Sequence, residues 1–152
     1  MRKLYILAAV ILAVCFALPA FSEEAERTCM HVTARLLNGR ASPSKRARIE
    51  AFFDEGDVLY CLRWSKDHHW IEAEAGEGGT VWVWWEYLNE QEEEYSVWWN
   101  DSGTRIKIRK EPFGRVVGYL KRDGEVVVDR IVFGWGKCER GWIDLQFLTE
   151  ED

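Results

Sequence analysis

Two eight-residue stretches decide how this chain is read: Val81-Trp82-Val83-Trp84-Trp85-Glu86-Tyr87-Leu88 and Gly141-Trp142-Ile143-Asp144-Leu145-Gln146-Phe147-Leu148. Each runs from a Trp followed by a β-branched residue to an aromatic residue followed by Leu. Working outward, a Gly-acid-Val step precedes each at a similar distance (Gly56-Asp57-Val58 and Gly124-Glu125-Val126), and an Arg-x-x-Pro step opens each (Arg40 to Pro43 and Arg109 to Pro112). Steps recurring in fixed order mark one small unit used twice.

The flanking sequence has strand character. Candidate strands are 30–36, 48–53, 58–64, 69–74 and 80–83 in the first unit, and 105–108, 115–120, 125–132, 134–138 and 141–143 in the second. They are short, rich in β-branched and aromatic residues, and separated by turn chemistry at Asn38-Gly39, Glu55-Gly56-Asp57, Lys66-Asp67-His68 and Asp123-Gly124. No segment sustains a helical period. An all-β chain follows, folded as small barrels or sandwiches that hide their strand edges.

Residues 1–22 have the layout of a secretory signal peptide: Arg2 and Lys3, an apolar run from Leu4 to Leu18, then Pro19 and the small pair Ala20 and Ser22 before an acidic segment. Cleavage after Ser22 leaves about 130 residues, room for two small domains. It removes two cations and no acid, moving the net charge from −6 to −8. Such a chain repels phosphate backbones, so nucleic acid is not an expected partner. Nor is a membrane, once the leader is gone. The expected location is secreted, periplasmic or at the cell envelope.

The domain boundaries read as 28–89 for the first unit, 90–103 for an acidic and aromatic linker, and 104–149 for the second. The linker opens with Glu90, Glu92, Glu93 and Glu94, a solvated run. Tyr95, Val97, Trp98 and Trp99 then make it too apolar to hang free; they either add a strand to one unit or pack between the two.

At this level of detail each unit resembles the bacterial SH3-type (SH3b, Src-homology-3-like) domain. Its pattern is a Leu-Asn-x-Arg-x-x-Pro step, a Gly-acid-x-Val step, a mid-domain Trp, and a Gly-Trp-Val ending followed by Tyr-Leu. The first unit supplies Leu37, Asn38, Arg40, Pro43, Gly56, Asp57, Val58, Trp70, Trp82, Val83, Tyr87 and Leu88. The second supplies Ile106, Arg109, Pro112, Gly124, Glu125, Val126, Trp135, Gly141, Trp142, Ile143, Phe147 and Leu148. Thr80-Val81 departs from the Gly of the first ending, Lys107 from the Asn of the second unit, and Phe147 from the Tyr. The resemblance implies two tandem small SH3-like β-barrels, acting as non-catalytic binding modules for cell-wall peptidoglycan or peptides at the bacterial envelope. The alternative is an adaptor for, or inhibitor of, another secreted protein.

Nine tryptophans exceed what two small cores need. Trp70, Trp82, Trp135 and Trp142 are assigned to packing. Strand alternation puts Trp82 and Trp84 on one face and Val81, Val83 and Trp85 on the other. Asp144 stands where the first unit has Trp84, so that position is not deep core, and Trp84 becomes the leading surface aromatic. Trp64, beside the 65–69 turn, is the second candidate. Tyr87 is the third, since in eukaryotic relatives of the implied fold the aromatic at the matching place lines a peptide groove. With Trp98 or Trp99 they form the expected ligand face; the alternative packs them against the linker or the other unit.

Cys29, Cys61 and Cys138 remain after cleavage. In the repeat alignment Cys61 faces Asp129, a surface position, and Cys138 faces Ala73, a core position. A Cys29–Cys61 disulfide, contributing about 3 to 4 kcal/mol through loop closure, is one expectation; three reduced core cysteines are the other.

Catalytic and metal chemistry is weakly supported, so no enzyme activity, metal or cofactor is expected. Glu92, Glu93 and Glu94 lack a pocket to separate their proton affinities. Cys29 and His31 have no third group to orient the base. Asp67, His68 and His69 share a turn but do not converge on one ion. Lys107, Arg109, Lys110 and Arg115 form a local basic patch, either a solvated strand face or a contact for an anionic polymer.

Overall fold

The computed structural model describes residues 27–92 and 94–151; the leader expected over 1–22 lies outside them. The chain is all-β. The first unit runs β1 (Thr28–Val32), β2 (Leu36–Arg40), β3 (Ile49–Asp54), β4 (Val58–Trp64), β5 (Trp70–Ala75), β6 (Gly79–Trp84) and β7 (Leu88–Asn89). The second runs β8 (Ser96–Trp99), β9 (Ile106–Arg109), β10 (Val116–Leu120), β11 (Glu125–Val128), β12 (Arg130–Val132), β13 (Trp135–Cys138), β14 (Gly141–Asp144) and β15 (Thr149–Glu150).

The first unit forms a seven-stranded sheet in the order β3-β2-β6-β5-β4-β1-β7. The second forms a five-stranded sheet, β10-β9-β14-β13-β12, and a three-stranded one, β11-β8-β15. Hydrogen bonding closes none of them into a barrel. The path β3-β2-β6-β5-β4 recurs strand for strand as β10-β9-β14-β13-β12, and β4-β1-β7 recurs as β11-β8-β15. What separates one sheet from two is a single strand. The first half of β4 pairs with β1 and the second half with β5, with a register shift between Cys61 and Arg63. In the second unit that bulge is a full break at Asp129, giving β11 paired to β8 and β12 paired to β13.

Two of the expected boundaries change. Within the 90–103 segment, the first of the two places offered for its aromatics holds: 96–99 adds a strand, β8, the counterpart of β1, bonded to both β11 and β15. The Asn38-Gly39 pair, read as a turn, lies inside β2, and the bend falls earlier, at residues 33–35. Gly39 is there because β2 passes close to β6: a Cβ would sit 2.8 Å from Val81 Cγ2.

The Gly-acid-Val alignment is also one residue out. Val32 N–H donates to Asp57 O and Gly56 N–H to Val32 O, both at 2.8 Å; the matching pair is Asn100 N–H to Gly124 O and Asp123 N–H to Asn100 O, both at 2.9 Å. Asp123 therefore takes the place of Gly56, and both have positive φ, 52° and 90°, a conformation Asp tolerates. A slip of one residue exchanges the faces of a strand. Cys61 is accordingly the counterpart of Val128, both fully buried, rather than of exposed Asp129.

The same register removes the expected disulfide. Cys29 stands opposite Tyr60 and Cys61 opposite Thr28, so the two thiols point to opposite sides of the sheet, one exposed and one buried. Cys29, Cys61 and Cys138 are all free, and burial pushes the Cys61 thiol up to about 12.

Two apolar clusters fill the molecule. Ile106, Ile108, Leu120, Val128, Cys138, Ile143, Leu145 and Leu148 make the second unit's own core. The first unit's core, around Met30, Leu59, Ile71, Val83, Trp85 and Leu88, also takes in Val132, Trp135 and Trp142 from the second unit. The units thus share an interior seam. Trp85 meets Trp142 edge-on with ring centroids 5.0 Å apart, Trp64 meets Phe113 at 5.6 Å and Phe133 at 6.0 Å, and His68 stacks on Phe113 at 4.0 Å. Contacts of this kind contribute about 0.5 to 1.5 kcal/mol each beyond the area they bury. Asn89 Oδ1 accepts the Ile131 amide, and the Glu90 amide donates back to Ile131 O at 2.8 Å.

Candidate functional site

The repeat places a groove at the same position in each unit. The first, of about 260 Å³, is lined by Leu36, Leu37, Asn38, Arg40, Lys45, Trp70, Trp84 and Tyr87. The second, of about 370 Å³, is lined by Thr104, Arg105, Ile106, Lys107, Arg109, Trp135, Asp144 and Phe147. Strand pairing makes these one set of positions. Arg40 pairs with Trp82 as Arg109 does with Trp142, and Trp70 pairs with Trp84 as Trp135 does with Asp144. Hence Leu36 corresponds to Arg105, Leu37 to Ile106, Asn38 to Lys107, Trp84 to Asp144 and Tyr87 to Phe147.

Each groove is bounded by the arginine of the Arg-x-x-Pro step, which reaches across the following loop. Arg40 donates to Ala47 O and Arg109 to Gly114 O, both at 2.8 Å. The opposite wall is the aromatic of a single-turn 3₁₀ segment after β6 or β14, Tyr87 at 45 % and Phe147 at 49 % exposure. The segment projects this ring outward while Trp85 and Leu145, two residues earlier, are buried.

Trp84 is held from several sides. Its ring meets Trp70 edge-on at 5.2 Å, stacks on His69 at 5.6 Å, and carries the Lys45 ammonium 4.7 Å above it. Behind it the 65–69 turn is locked by Ser65, whose hydroxyl donates to Asp67 and accepts the Trp70 amide at 3.1 Å. The Ser65 bond, chiefly, holds the Asp67 carboxyl below its ordinary range. A ring fixed this way has little side-chain entropy left to lose when a ligand is bound against it.

In the second unit the wall at Thr104 and Arg105 is set by Asn100, which is fully buried and fully used. Its amide donates to Thr104 O at 2.7 Å and Lys121 O at 2.8 Å, and its oxygen accepts from Ser102. Asp144 is held by Gln146.

Of the residues singled out in the sequence, Trp84 and Tyr87 line one groove together. Trp64 does not join them: it packs between the units against Trp85, Phe113 and Phe133, with its indole N–H buried and unpartnered. Trp98 and Trp99 line neither groove. Trp98 packs on the second core and donates to Ser96 Oγ at 2.9 Å, while Trp99, on the other face of β8, is 39 % exposed. Among the tryptophans assigned to packing, Trp70, Trp135 and Trp142 are buried, but Trp82 is half-exposed, with Arg63 5.7 Å over its ring. The sequence reading did not place Leu36, Asn38 or Lys45 at a site, and it named Lys107 and Arg109 of the second groove only as part of a basic patch. The repeat alignment already set Tyr87 against Phe147 and carried the signal for that groove.

Among the described residues no three His, Cys, Asp or Glu side chains gather as metal ligands, and no helix is long and apolar enough to cross a membrane. No family model matches the chain, and no curated protein does. Solved structures similar to it include NlpC1 from Trichomonas vaginalis, at 17% identity over 86% of this chain and 48% of that one, TM-score 0.40. NlpC2 from the same organism is similar at 14% identity over 84% of this chain and 49% of that one, TM-score 0.38. The chain spans about half the length of these two proteins.

Proposed function

We propose that the chain is an exported, non-catalytic binding protein of two SH3-type modules whose grooves hold an extended ligand, peptidoglycan or a peptide, at the cell envelope. The observation that supports this reading is the groove built twice at one position, each time between a tethered arginine and an outward aromatic ring. Flat aromatic faces suit extended peptides and sugars alike, since both present apolar edges. The fixed Trp84 and the half-exposed Tyr87 give the first groove that character, and exposed Leu36 at 57 % extends it. The apolar rim also suits the second reading, an adaptor or inhibitor of another secreted protein.

The test is sedimentation of the 23–152 chain with purified peptidoglycan. Wild type is expected in the pellet. W84A/Y87A is expected in the supernatant with an unchanged circular dichroism spectrum, because both side chains are partly exposed and Trp84 packs only on the edge of the first core. Full retention of the double variant removes this groove from the reading, and wild type left in the supernatant removes peptidoglycan in favour of a protein partner.

A further inference from the structure

The two grooves share positions but not chemistry. At the places of Leu36 and Asn38 the second groove has Arg105 and Lys107, both exposed, and Arg109 follows on the same side of the strand. A second hollow, of about 420 Å³, continues from Thr104 and Arg105 to Lys121 and Arg122. Within the described residues, every ion pair closer than 4.0 Å falls in 27–92, so none of these cations has a carboxylate partner at that range. Asp144, itself in the lining, and nearby Asp101 bond to neutral groups, the Gln146 amide and the Thr149 hydroxyl at 2.9 Å, and keep their charge, so Arg105, Lys107 and Arg109 outnumber the one lining carboxylate. A cationic track in a chain of net charge −6 is a local device, not a reflection of composition.

We infer that the second groove takes an acidic peptide segment, so that the two modules hold different ligands rather than two copies of one. The inference rests on the groove reading above and names the ligand of one groove. Residues 105, 107 and 109 alternate along the chain, and alternate strand residues stand about 7 Å apart on one face. An extended segment with carboxylates at every second position has the same spacing. The apolar lining from Trp135 and the exposed Phe147 ring receives the backbone and the methylene groups between the charges. Arg105 already lies 5.0 Å over the Tyr119 ring, which holds its guanidinium in place. A polyanion such as RNA would engage the same charges, but the apolar lining beside them has no use in phosphate contact.

The experiment is fluorescence anisotropy on the 23–152 chain with a labelled, end-blocked peptide of alternating Glu and Gly, against its Gln-Gly counterpart. The Glu peptide is expected to bind at least tenfold tighter at 50 mM NaCl, with most of the difference lost at 500 mM. R105Q/K107Q should abolish the preference. R35Q/R46Q, which removes two exposed arginines outside both grooves, should keep it. Equal or undetectable binding of the two peptides overturns the inference, as does loss of the preference in R35Q/R46Q. Displacement of the Glu peptide by a short oligonucleotide at lower concentration overturns it in favour of nucleic acid. Peptidoglycan sedimentation fails separately: wall binding without acidic preference leaves the groove reading standing, and acidic preference without wall binding leaves only the groove.

Discussion

The two units follow one path through space, yet the same position is solved differently in each. Gly39 and Val81 face each other between β2 and β6; at the corresponding places between β9 and β14 stand Ile108 and Gly141. Bulk has moved from one strand to its neighbour, and the volume between them is kept. Ile71 and Gly136 form another such pair, the space of the missing side chain being closed by Leu145 and Val128. Trp82 and Trp142 differ for another reason. Both point away from their own unit's core, but only Trp142 is covered, by Trp85 and by the Arg130 guanidinium 4.9 Å from its ring. A duplicated fold conserves backbone path and packing volume; exposure depends on which copy lies against which.

The largest effect expected from this difference is at the paired tryptophans. W142A removes a ring that is 3 % exposed and opens a cavity on the seam, at a cost of about 3 to 5 kcal/mol. W82A removes a half-exposed ring beside Arg63 and should cost about 1 kcal/mol or less. Urea unfolding of the two variants gives the comparison directly, and equal losses would mean that the seam does not bury Trp142.

A smaller effect tests the exchange of bulk. G39A sets a Cβ 2.8 Å from Val81 Cγ2 and 3.0 Å from Phe53 Cε2, at a cost of about 1 to 3 kcal/mol. Trimming the obstacle should recover part of it, so G39A/V81A is expected to be more stable than the sum of the single variants. The second unit should offer no such rescue. A Cβ on Gly141, whose φ is +146°, would lie 2.2 Å from Arg109 O, a backbone atom, and I108A does nothing about that. Rescue in both units or in neither would break the account of complementary packing.

The repeat, the all-β class and the pairing of Trp84 with Tyr87 were legible in the sequence because each rests on local pattern: alternation within a strand, and an aromatic at a fixed distance from it. Three features were not, or only in part. The slip at Gly56 and Asp123 was hidden because Asp reaches the left-handed conformation without being Gly, so matching glycine to glycine moved the frame by one and put Cys61 on the wrong face. β8 was legible only as one of two alternatives, since its acidic approach reads as linker and its pairing with β11 and β15 is a long-range fact. Trp64 took the alternative place, against the other unit, because its partners Phe113 and Phe133 lie there and no local pattern chooses between a groove and a seam. The second groove was legible in principle, but its charged lining does not look like the aromatic lining that defined the first.

The finest probe of the difference is Glu90. Its counterpart two residues beyond the 3₁₀ segment's leucine is Glu150, exposed at the end of β15, whereas Glu90 is carried into the seam, where one carboxylate oxygen is buried without a partner. Burial raises its proton affinity above the ordinary value of 4.5, and the backbone amides of Phe133 and Gly134 pull in the other direction without cancelling it. A carboxyl raised on folding binds its proton more firmly in the native state than in the unfolded chain. Its contribution therefore favours folding at low pH and is lost as pH rises from 4.5 through the raised value, leaving a buried charge at neutrality. E90Q keeps an oxygen for the two amides and removes that charge. It should raise stability at pH 7 and flatten the dependence between pH 4.5 and 7, while E150Q, the same change on the solvent side, should do neither. Thermal melts of the three proteins across that range decide it: an E90Q variant with the wild-type slope, or one destabilised at pH 7, would place the Glu90 carboxyl in water and undo the asymmetry between the two units at this position.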